Sequence, residues 1–116
     1  MRLLKIFLTV SCLSLIFSLG ETAAFQKKES GKDLYKANCR VCHGKDSKFG
    51  EYSPMSLIQD QWKKFFQAKL VPAHQGVTMP ETGKPLLEVL TPEQLKLIQK
   101  YCIDGAADSE HPQTCS

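Results

Sequence analysis

An all-α domain of three to four helices is the fold class this sequence predicts, and three observations predict it. Apolar residues recur at helical spacing in separate stretches, over residues 30–39, residues 56–70 and the stretch that follows Thr91. A full helix-start signal stands at Thr91, which can cap, with Pro92 suited to the first helical position and Gln94 completing a capping box. Strands have little support anywhere, and there is no internal repeat or low-complexity tract.

Residues 1–24 stand outside that fold. Arg2 and Lys5 make a positive start, Ile6 to Leu19 form an apolar stretch too short to span a bilayer, and Thr22-Ala23-Ala24 offers small residues for cleavage. They read as a signal peptide, so the chain is expected to be exported, with no stable membrane insertion after the signal is removed. Cys12 follows too short an apolar run to make a good lipidation site. Residues 25–116 then form one small domain.

The first helix, over residues 30–39, carries Leu34, Tyr35 and Asn38 on one side and the basic series Lys28, Lys32, Lys36 and Arg40 on another. It delivers Cys39, Arg40, Val41, Cys42 and His43, a CxxCH run. Two thiols three residues apart can each add to one vinyl group of a haem, and the next residue's imidazole then reaches the iron as proximal ligand. One covalently attached haem c is the expected cofactor. A thioredoxin-like pair would need a strand ahead of the motif, and a zinc site would need a second ligand pair at short spacing, whereas Cys102 and Cys115 lie far downstream.

Residues 44–55, rich in glycine, serine and proline, are expected as a loop over one cofactor face. Leu57, Ile58, Trp62, Phe65 and Phe66 set the apolar face of the next helix, which Pro72 is expected to end at Leu70. The connector from Val71 to Leu90 holds His74, Met79 and a short helical turn near Leu86. In the last helix Leu95, Ile98, Tyr101 and Cys102 share one face. With two thiols used by the cofactor, Cys102 and Cys115 remain as an even pair in an oxidising compartment and are expected to form a disulfide tethering the 102–116 extension. Its loop is worth about 3 kcal/mol in the chain-entropy view.

The order of parts resembles a small class I cytochrome c of the bacterial periplasmic kind. The resemblance runs from about Ser30 to Gly105 through GKDLYKANCRVCHG, YSPMSL, TMPE and LTPEQLKLIQKYC. It implies the cytochrome c fold, helices wrapped around one covalent haem, and a periplasmic location. It also implies a crossing of first and last helices, with Gly31 and Tyr35 against Leu97, Ile98 and Tyr101. The Pro54 carbonyl is expected to accept a hydrogen bond from His43, and Met79 to be the second axial ligand. Met55 is the rival thioether and His74 the rival imidazole; a bis-histidine iron would sit at a lower potential. The chain departs from the pattern in the tail ADSEHPQTCS, a brace or a docking element.

The function these readings imply is single-electron transfer between redox proteins or enzymes, with no substrate chemistry at the metal and hence no enzyme activity. A monomer or weak oligomer is expected. Residues 25–64 carry a net charge of +4 and residues 65–116 one of −2, so a basic side near the motif can steer an acidic partner, and nothing demands nucleic acid. Two other readings share the cofactor: a ligand-binding or sensing protein with an open or weakly held sixth position, and the cytochrome subunit of a dehydrogenase complex. A bacterial-type peroxidase would carry two CxxCH motifs, and one is present.

Overall fold

Ser30 starts the first helix, its hydroxyl accepting the Asp33 backbone N–H at 3.0 Å, a cap that satisfies one of the helix's orphan donors. The computed structural model describes residues 27–114. The expected signal segment 1–24, with Cys12, and the expected disulfide partner Cys115 lie outside the described residues. Helix α1 (Gly31–Asn38) passes through Cys39, itself in right-handed helical geometry, into α2 (Arg40–His43). The Cys39 N–H donates to the Tyr35 carbonyl at 2.8 Å and the His43 N–H to the Cys39 carbonyl at 3.0 Å. The helical path is therefore kept through the motif.

Helix α6 (Pro92–Asp104) begins as its sequence requires, Thr91 and Gln94 exchanging hydrogen bonds of 3.0 and 3.2 Å. It crosses α1 at Gly31, where a Cβ would lie 2.1 Å from the Leu97 carbonyl oxygen and 2.9 Å from the Tyr101 Cβ. One turn on, the rings of Tyr35 and Tyr101 meet at 5.5 Å between centroids. Only glycine lets the two backbones approach this closely. A Gly31→Ala variant gains about 1 kcal/mol of helix propensity but must part the helices, and overpacking costs about 1–3 kcal/mol, occasionally more. With backbone as the obstacle the upper end applies, so a net loss of about 2 kcal/mol is expected, read as a lower thermal midpoint with the spectrum of the folded protein unchanged.

Between these helices the chain makes a 3₁₀ turn (Pro54–Ser56), helix α3 (Gln59–Lys64), a π-helical turn (Phe65–Lys69), helix α4 (Leu70–His74) and the short α5 (Leu86–Val89). The expected stop at Leu70 does not occur. Pro72 falls in the first turn of α4, where backbone N–H groups have no partner within that helix, and the π turn ahead of it, closed by the Leu70 N–H on the Phe65 carbonyl, resets the backbone so that the ring is accommodated. The helical path thus continues to His74.

The connector folds back on itself through one isolated antiparallel bridge, Thr78 with Pro85; no longer strand occurs among the described residues. Leu34, Tyr35, Trp62, Met79, Leu86, Leu90, Ile98, Cys102 and Ala106 form the buried core. The tail packs against it. Ala106 is fully buried, the Ala107 N–H donates to the Leu57 carbonyl at 3.1 Å, and the Asp108 carboxylate accepts the Gln59 N–H at 2.8 Å. Residues 105–113 are therefore a brace that caps α3.

Candidate cofactor site

Cys39, Cys42 and His43 stand at i, i+3 and i+4 of a helical path, the spacing that places side chains on one face. All three are half-buried and line one cavity of about 880 Å³. Tyr35 and Trp62 close part of it; Leu86, Leu90 and Ile98 supply aliphatic wall. Cofactor sites commonly have volumes of about 300–1,000 Å³ with mainly apolar linings, so the space suits a large planar, apolar group.

The Cys39 thiol is pushed up to about 12, by burial first and by the neighbouring Cys42 second. Reactive thiols work as thiolates, with values lowered by a positive setting. The environment of Cys39 does the reverse, which is unsuited to a disulfide-exchange nucleophile at neutral pH.

Loop 44–53 holds the imidazole. The Ser47 hydroxyl donates to the Cys42 carbonyl and accepts the Phe49 N–H at 3.1 Å. Gly50, at φ +90°, turns its carbonyl to within 3.1 Å of His43 Nδ1. The Tyr52 N–H donates to the His43 carbonyl at 3.0 Å, and the Tyr35 hydroxyl donates to the Tyr52 carbonyl at 2.7 Å. With Nδ1 as donor to Gly50, Nε2 is left as the metal-binding nitrogen.

The resemblance implies Pro54 as the acceptor for His43; its carbonyl instead takes the Trp62 Nε1–H at 2.7 Å. The physical reason is local. Pro54 is buried with its carbonyl held by the Trp62 indole, while Gly50, at positive φ, sets its own carbonyl against the imidazole. Sequence reading missed Gly50; its only signal was a glycine inside a turn-rich loop.

The candidate axial ligands separate clearly. Met55, 39% exposed, lies outside the cavity lining, because the 3₁₀ turn buries Pro54 and leaves its neighbour in solvent. Met79, 7% exposed, is on the cavity wall, its backbone fixed by the Lys84 carbonyl accepting its N–H and by its own carbonyl accepting the Gly83 N–H, both at 2.8 Å. His74 is also on the wall. Its Nδ1 lies 2.8 Å from the Leu70 carbonyl, and its ring centroid 6.1 Å from that of His43, at 86°. Cys102 is fully buried against the same cavity.

A thiol pair and an imidazole on one helical face, with a thioether and a second imidazole also on the wall of an apolar cavity, are a donor set that fits a haem. Among known families, the model described as Cytochrome C oxidase, cbb3-type, subunit III matches residues 26–102. No curated protein and no solved structure matches the chain.

Proposed function

This chain belongs to the family described as Cytochrome C oxidase, cbb3-type, subunit III, it is a small c-type cytochrome with one covalently bound haem, and from that premise we propose that it is an exported, periplasmic single-electron carrier. Haem iron supplies a one-electron couple without covalent change to any substrate. The protein's residues do the rest. Cys39 and Cys42 hold the group by thioether bonds, and His43 presents Nε2 to the metal with its ring oriented by the Gly50 carbonyl. The apolar walls around Trp62, Leu86 and Ile98 keep water from the site, which limits the rearrangement that accompanies a change of charge. Two further donors on the wall, Met79 and His74, support a filled sixth position over an open, ligand-sensing one. Phe49, 59% exposed and on the cavity wall, marks a rim where a redox partner can approach.

Among the described residues no helix is long and apolar enough to cross a membrane. The basic excess over residues 25–64 supports docking to an acidic partner. The observation that carries the proposal is the shared cavity face of Cys39, Cys42 and His43. An optical redox titration of the haem-loaded protein tests it: one reversible one-electron transition is expected, with reduced spectra scarcely altered by carbon monoxide. Full conversion by carbon monoxide at low concentration would favour the sensing reading instead.

A further inference from the structure

The resemblance implies Met79 as the second iron ligand; we propose that the imidazole of His74 takes that place instead, giving a bis-histidine iron. The inference rests on the reading of the chain as a covalent haem protein and specifies its ligand set.

Three observations carry it. First, the separation fits. Two metal–imidazole bonds of about 2 Å, plus about 1 Å from each ring nitrogen to its ring centre, span about 6 Å, and the His43 and His74 centroids are 6.1 Å apart. Second, both rings are oriented alike by their surroundings. His43 Nδ1 faces the Gly50 carbonyl at 3.1 Å and His74 Nδ1 the Leu70 carbonyl at 2.8 Å. Donating from Nδ1 fixes the tautomer in which Nε2 carries the lone pair, the arrangement usual for metal-bound histidine.

Third, the backbone makes a local departure that directs His74. In an uninterrupted α-helix the twelve residues from Trp62 to His74 would leave them about 120° apart around the axis. The π turn at Phe65–Lys69 takes up one extra residue without extra rotation, which removes most of that offset, and both side chains line the cavity. Such insertions recur at functional sites. Phe65 packs against the His74 ring at 6.3 Å and 84°, so the turn also supplies a wall that holds the ring. Met79, on this account, is apolar lining.

The test compares wild type, His74→Ala and Met79→Ala as exported, haem-loaded proteins, each checked by intact mass for the added group. The oxidised wild type should lack the weak sulfur-to-iron charge-transfer band at the red end of the spectrum, and M79A should match it. H74A should bind carbon monoxide when reduced, or gain the sulfur band if Met79 moves in. A sulfur band in the wild type that M79A abolishes overturns the proposal, as does an H74A spectrum identical to wild type in both oxidation states. Either result leaves the haem-protein reading standing; that reading fails only if the wild type carries no added mass.

Discussion

Replacing Cys39 and Cys42 together by alanine is expected to abolish covalent haem attachment and, with it, the compact fold. The cavity of about 880 Å³ is large for a domain of this size, and it is bounded by Trp62, Leu86, Leu90 and Ile98, the same side chains that make up much of the core. Small domains bury a limited share of their surface and are correspondingly marginal. A group that fills the space contributes apolar contact on every wall, at about 25 cal/mol per Å² of apolar area removed from water. Without it those walls are hydrated or collapse. The double variant should therefore emerge without thioether-linked pigment in a denaturing gel, with weakened helical circular dichroism and rapid proteolysis. A well-folded variant with wild-type protease resistance would show that the helices pack without their insert.

Trp62→Ala should be the most destabilising single substitution away from the motif. The indole is 5% exposed, meets the rings of Phe65 and Phe66 at 5.9 and 6.1 Å, and donates to the Pro54 carbonyl at 2.7 Å. Large-to-small aromatic changes in cores cost about 3–5 kcal/mol, and leaving the buried carbonyl unpaired adds about 1–3 kcal/mol. Against a total stability of about 5–15 kcal/mol for an ordinary domain, that is a large share. Trp62→Phe separates the two contributions, since it keeps most of the apolar packing and loses the hydrogen bond. Denaturant titration of haem-loaded proteins should rank wild type above W62F and W62F above W62A; equal midpoints for W62F and wild type would show that the Pro54 bond contributes nothing.

Local chemistry was legible in the sequence and longer-range geometry was not. The capping box at Thr91 and Gln94 follows from residues three apart, and it forms. Gly31 and Tyr35 against Leu97 and Tyr101 follow from the resemblance and are found at the crossing of α1 and α6. Pro72 misled, because a proline signals the loss of a hydrogen bond but not whether a π turn will take up the strain. Pro54 misled in a second way: the resemblance set its carbonyl against His43, while the left-handed backbone at Gly50 decided which carbonyl the imidazole meets. Asp108 as a cap for α3 joins residues 49 apart in sequence, and no local pattern announces it. His74 and Met79 were both recognisable as donors, yet their relation to His43 depends on the helical phase after Phe65, which periodicity alone does not give.

Intact-mass measurement of the purified protein, combined with thiol alkylation after denaturation, tests the central claim most directly. The predicted result is one added haem per chain with Cys39 and Cys42 refractory to the reagent. An unmodified polypeptide in which both cysteines are alkylated would contradict it.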